Sequence, residues 1–213
     1  MTTLLLWGAG GHAKVVLDCV HAMGAFTEIA FIDDATARTG EEFCGCPVLG
    51  CRAHLAAAVR DGFRNFLVSI GNNNVRAACF DVAYGHGLAG AVVIHPAATI
   101  SPSATIGAGT VVMPGAIINA GVCIGRNCIV NTAAVIEHDC IMGDNVHISP
   151  RAVLGGGANI GAFAHIGLGA IALPGALIGE RAVVGAGSVV LKAVPPATTV
   201  AGVPARILRL VHS

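Results

Sequence analysis

The sequence predicts a small α/β unit followed by an all-β parallel β-helix, and three observations carry the prediction. Strand-like and helix-like stretches alternate over the first 90 or so residues. From Ile94 onward an aliphatic residue returns every six positions without a slip. Within each of those hexads the fifth residue is small or β-branched.

The α/β unit is read in order from its N-terminus. Thr3 to Trp7 is a short apolar strand, closed by Gly8-Ala9-Gly10-Gly11-His12-Ala13, and Lys14 to Met23 has helical character. Glu28 to Asp34 is a second strand ending in two acids, and Asn65 to Ile70 a third ending in Gly71-Asn72-Asn73. Strand, helix and strand in alternation imply a parallel sheet whose ligands sit at the carboxyl ends of the strands. Gly8, Gly10 and Ala13 fit the GxGxxA turn that cradles phosphate at a helix N-terminus, with Asp33 about 20 residues on as a ribose partner, so the unit is Rossmann-like. About 90 residues are too few for a full two-halved dinucleotide fold, and a mononucleotide such as that of a nucleotide-sugar suits the size better than NAD.

The hexad leads run from Ile94 through Val190, 17 in all, and 15 of them are Ile, Val or Leu. Three short strands and three corners then make one coil of 18 residues, with leads and fifth positions filling a prism and residues 18 apart stacking on one face. Sorted by face, the outward positions give Thr99, Ile117, Val135, Val153, Ile171 and Val189 on one side. A second side reads Thr105, Cys123, Ile141, Asn159, Leu177 and Pro195, and a third Val111, Ile129, His147, His165 and Val183. The first of these is almost wholly aliphatic, which marks a subunit interface and, on a three-sided prism, a homotrimer. The expected domains are 1–90 (nucleotide-sugar binding), 91–195 (β-helix) and 196–213 (C-terminal tail).

Composition narrows the function further. Twelve basic residues balance twelve acidic ones and charged residues make up only 11% of the 213, which argues against binding nucleic acid or an anionic membrane through bulk charge. Hydrophobic residues reach 54%, yet no apolar run approaches the roughly 20 residues of a membrane span. The N-terminus lacks the charged region of a signal peptide, and a cytoplasmic protein with reduced thiols is expected. Of the eight cysteines, Cys44, Cys46 and Cys51 are the only tight group, with no CxxC pair, so no metal is expected.

The stretch from Ile94 is similar to the left-handed parallel β-helix of hexapeptide-repeat acyltransferases. WGAGGHAKVV, then FIDD, then SIGNNNVR, joined to a β-helix carrying NTAAVIEHDC and ending in VAGVPARIL, resembles over essentially the whole chain the PglD and NeuD-like sugar acyltransferases. The resemblance implies an N-terminal domain that holds a nucleotide-linked amino sugar and a β-helix that holds acetyl-CoA, as co-substrate, between subunits of a homotrimer. It points to N-acetylation of the 4-amino group of a 4-amino-4,6-dideoxysugar on GDP or UDP, of the GDP-perosamine or UDP-bacillosamine-precursor type, with no metal. Carried over, Gly10, Gly11 and His12 match the glycine-His turn at the nucleotide-sugar, Asp33 and Asp34 the acidic pair, and Gly71 with Asn72 the GN contact. His147, Leu168 and Ala186 match positions along acetyl-CoA.

His138 also stands out without the family. It occupies a corner at the edge of the aliphatic face, below Ala120 and above Gly156, flanked by Glu137 and Asp139. Imidazole titrates near pH 6.5 in water and suits general-base work, with one acid orienting the ring. Asp139 replaces the Glu of some relatives and is one methylene shorter. The expected chemistry is direct attack of the sugar amine on the thioester with His138 as base, no covalent enzyme intermediate being needed. O-acetylation of a sialic-acid-like sugar and a non-catalytic nucleotide-binding scaffold are the alternatives. His165 is expected at an interface or the surface, and His21, His54, His86 and His212 in surface or structural roles.

Overall fold

A computed structural model describes residues 2–35 and 39–210; His212 lies outside them. The N-terminal unit comprises β1 (Thr3–Trp7), α1 (Gly11–Met23), β2 (Glu28–Ile32), β3 (Glu42–Phe43), β4 (Cys46–Gly50), α2 (Leu55–Arg60), β5 (Asn65–Val68), α3 (Asn73–Gly85) and β6 (Ala89–Gly90). Its six strands run in the order β3-β4-β2-β1-β5-β6, all neighbours parallel except the β3–β4 hairpin. Leu4, Leu6 and Trp7 of β1 are buried on both faces of the sheet, as a central parallel strand requires. The chain order reverses across β1, between β2 and β5, so the ends of β1, β2 and β5 border one crevice.

From Val93 the chain winds into stacked coils whose two-residue strands form three parallel sheets. Residues 18 apart pair throughout the upper coils, as in Ile117 with Val135 and Val135 with Val153. Leads such as Ile148 and Ile166 and fifth-position alanines such as Ala152 and Ala170 fill the interior completely. The hexad register ends one step earlier than the sequence suggests. Leu177 pairs with Ala193 and Ile178 with Val194, so the last coil is two residues short and Ala193, not Pro195, stacks on Leu177. Residues 196–210, expected as a tail, contribute Thr198–Ala201, which continues the sheet parallel to Val183–Val184, and Arg206–Leu210, which returns antiparallel.

The third face of the prism does not meet water in its upper half. Val93, Val111 and Ile129 lie under Ala13, Val16, Leu17 and Val20 of α1 in one continuous apolar cluster. The aliphatic face, by contrast, leaves Ile117 and Ile171 about 40% exposed in the single chain. Helix α3 runs along a prism corner whose residues, Asn127, Asn145, Phe163 and Arg181, all take left-handed backbone conformations.

Candidate active site

The first element of the site is the turn after β1. Gly8 must be glycine: its φ is 108° and a Cβ there would fall 2.6 Å from Ile70 of the neighbouring strand end. Gly10, the N-cap of α1, and Gly11, its first residue, face open space instead. No side chain caps α1, so its first amide groups are free for an anion. These glycines, His12, Asp33, Asp34 and Gly71 line one cavity of about 380 Å³ at the crevice.

The acids at the end of β2 are already engaged within the chain. Asp33 Oδ2 accepts from the Ala9 amide at 2.6 Å and Oδ1 from Ala35, so this carboxylate clamps the glycine turn. Asp34 is paired with Arg52 at 2.7 Å, and hydrogen bonding to that guanidinium holds its carboxyl below the usual range. The guanidinium lies over the Trp7 ring, 5.7 Å from its centroid. Asn72 caps α3, its Oδ1 accepting from the amides of Asn74 and Val75.

Beneath this crevice the two units meet through a row of histidines. His147 and His165 stack with centroids 4.8 Å apart and planes 2° from parallel, and His12 tilts over His147 at 6.4 Å. A carbonyl only accepts, so His147 donates Nδ1–H to Gly71 O at 3.3 Å, leaving Nε2 to accept from Asn131 Nδ2 at 3.2 Å. Burial lowers His147 to a pKa of about 3, helped by His165 and Arg76, and His12 to about 4, helped by Arg76. Both rings are neutral at pH 7, and His147, matched by resemblance to acetyl-CoA, has both nitrogens occupied. The side of the row away from the glycine turn opens into a second cavity of about 590 Å³, walled by Asn73, Phe163 and Arg181 among others.

His138 sits in a different setting. Its side chain is 65% exposed at a prism corner, and Nδ1 donates to Asp139 Oδ2 at 2.9 Å, so the shorter acid reaches the ring and Glu137 is not its partner. Asp139 has a left-handed backbone, φ 58°. A Cβ on Gly121 would collide with the Asp139 carboxylate, and one on Gly156 with His138 Nε2. The small residue below the histidine therefore houses the imidazole itself. Among the described residues nothing bonds Nε2. Leu168, 60% exposed, and Ala186 stack at the corner on the other side of the aliphatic face, where Gly187 donates to Leu168 O.

A single chain thus does not bring the expected residues together. The glycine turn and histidine row lie over one face, while His138 and the Leu168–Ala186 corner bound the aliphatic one. Sequence reasoning gave no role to Arg76, Asn131 or Arg52. A lone arginine on a helix reads as a solvated charge, and only its position in SIGNNNVR hinted otherwise. Among the described residues no three His, Cys, Asp or Glu side chains converge as metal ligands.

Residues 3–83 match the model of the PglD N-terminal domain. The chain is 40% identical over 114 residues to UDP-N-acetylbacillosamine N-acetyltransferase of Bacillus subtilis (strain 168), a match covering 52% of this chain and only about half, 51%, of that protein. Several solved structures match along almost the whole length, among them the following two. One is PerB from Caulobacter crescentus in complex with CoA and GDP-perosamine, 38% identical, covering 97% of each chain with a TM-score of 0.92. The other is the acetyltransferase domain of PglB from Neisseria gonorrhoeae FA1090 in complex with acetyl coenzyme A, 42% identical, covering 97% of this chain and 98% of that one, TM-score 0.92.

Proposed function

The chain belongs to the PglD-like nucleotide-sugar N-acetyltransferases, and on that premise we propose that it transfers the acetyl group of acetyl-CoA to the 4-amino group of a nucleotide-linked 4-amino-4,6-dideoxysugar. The observation that carries the assignment of roles is the His138–Asp139 pair. Its geometry gives an imidazole whose Nδ1–H is fixed by a carboxylate and whose Nε2, over Gly156, has no hydrogen-bond partner among the described residues. The sugar amine attacks the thioester carbonyl, and Nε2 takes a proton from the amine nitrogen as the C–N bond forms. Collapse of the tetrahedral adduct breaks the C–S bond, and the imidazolium returns the proton to the thiolate, giving amide and CoA thiol.

The nucleotide diphosphate belongs at the free amides of Gly10 and Gly11, and Leu168 and Ala186 suit the pantetheine arm. Because His138 and the Leu168–Ala186 corner stand at opposite edges of the aliphatic face, and the glycine turn lies over another face, the reaction is assigned to a cytoplasmic homotrimer whose aliphatic faces pack on neighbouring copies. PerB was solved with GDP-perosamine and the Bacillus protein is named for a UDP-linked sugar, so either carrier fits the family. A panel of GDP- and UDP-linked amino and hydroxy sugars with acetyl-CoA, read by free thiol release, tests the reading. Transfer to 4-amino sugars supports it, transfer to hydroxy sugars alone favours O-acetylation, and no thiol release favours the scaffold. Sedimentation tests assembly, with Val135→Asp expected to dissociate the trimer because a buried unpaired carboxylate is costly.

A further inference from the structure

Arg76 has no part in the chemistry just described, yet it is the most heavily bonded side chain where the two units meet. It is 1% exposed, and five oxygens surround its guanidinium. Nε donates to Asn127 O at 2.8 Å, and Nη2 to Asn145 O at 2.9 Å and Asn73 Oδ1 at 2.8 Å. Nη1 donates to Ile70 O at 3.2 Å and Gly71 O at 3.1 Å. None of these acceptors is a carboxylate, so a full positive charge is held by carbonyl dipoles alone. Two belong to successive corners of the β-helix and two to the end of β5, the wall of the nucleotide crevice.

The neighbours of Arg76 on α3 extend the same contact. Asn73 donates to the carbonyls of Phe163 and Ala164 one coil below, Arg181 donates to Asn74, and Phe80 lies where a Cβ of Gly109 would stand one coil above. The left-handed corners present their carbonyls at an 18-residue interval, and α3 meets them with residues three and four apart. Gly71 O is shared: it receives Arg76 Nη1 and His147 Nδ1 together.

We propose that Arg76 is a positioning residue for the transfer, a fork that fixes the Ile70–Gly71 wall of the nucleotide-sugar site against two coils of the β-helix and, through the shared Gly71 carbonyl, holds His147 as its Nδ1–H tautomer. The kinetic half of this inference rests on the function proposed above; the tautomer half does not. His12, His165 and Arg76 are the titratable groups facing His147.

The test uses the full chain with Arg76→Met and Arg76→Lys. Lysine keeps the charge, but three donors on one nitrogen cannot serve the five acceptors spread around the guanidinium, so it reports on the fork, and it carries the test if the methionine variant does not fold. In both folded variants the KM for the nucleotide-sugar should rise about tenfold, the scale of one charge-assisted hydrogen bond, with the KM for acetyl-CoA changed less than about twofold. Imidazole nitrogen NMR should show His147 losing its preference for the Nδ1–H form. A merely structural arginine would lower the melting temperature and leave the tautomer and the ratio of the two KM values alone. Wild-type KM values with an unchanged His147 tautomer in folded Arg76→Lys would overturn the inference. If the unmodified protein transfers to no sugar of the panel, the proposed function fails first, and the NMR result alone then decides for or against the fork.

Discussion

His138 and His147 lie nine residues apart in the chain and could hardly be placed more differently. The first stands at a corner in solvent, one nitrogen tied to Asp139 and the other without a partner among the described residues. The second is 9% exposed beneath the N-terminal unit, stacked on another histidine, with both nitrogens bonded and its basicity suppressed by burial. Proton transfer needs a lone pair that substrate can reach, whereas holding a geometry needs bonds that are already satisfied. By that criterion the exposed histidine suits the chemistry and the buried one the architecture.

The sharpest way to break this contrast is to exchange the demands made on the two residues. His138→Ala should lower kcat by about 10² to 10⁴ at pH 7 with both substrates still binding, and higher pH should restore part of the loss by deprotonating the amine. Full kcat in steady-state thiol-release assays would remove His138 as the base. Gly156→Ala comes next. The added methyl group would occupy the space of the His138 ring, and the displaced imidazole should cost up to about 10² in kcat with an almost unchanged melting temperature. An active Gly156→Ala enzyme would mean that the ring position seen at this corner is not the working one.

Asp139→Asn should cost about tenfold, as expected of a partner that orients a reactive group, and Glu137→Gln should cost less because Glu137 does not touch the ring. A further effect concerns stability rather than rate, and it belongs to the buried row. His12 and His147 are depressed to about 4 and 3 in the fold, so the unfolded chain takes up protons first. Stability should therefore fall as pH drops below about 6.5 and level off below about 3, at about 1.4 kcal/mol per pH unit for each such proton. His147→Asn should flatten that decline in thermal melts between pH 6.5 and 4.

Much of this contrast was legible before any coordinates. The six-residue register identified the prism, its three faces and the corner carrying His138, and the glycine turn located the crevice at the ends of the central strands. That information is local, since each coil touches only the coils beside it and a residue's face follows from its place in the repeat. The two-residue shortening before Val194 was not legible, because Val194 satisfies the pattern both as a β-branched fifth position and as an aliphatic lead.

What the sequence alone determined, then, is every feature whose partner lies at a fixed interval along the chain. What only the tertiary structure decided is which polar groups are already taken: Asp33 by Ala9 across 24 residues, His147 by Gly71 across 76, and Arg76 by Asn127 and Asn145 across 51 and 69. The physical reason is that a hydrogen bond requires approach to about 3 Å in a defined direction. A periodic pattern sets the face a residue occupies but not the element that comes to lie against it. Docking of α1 and α3 on the prism made that choice, burying one histidine and leaving the other to solvent.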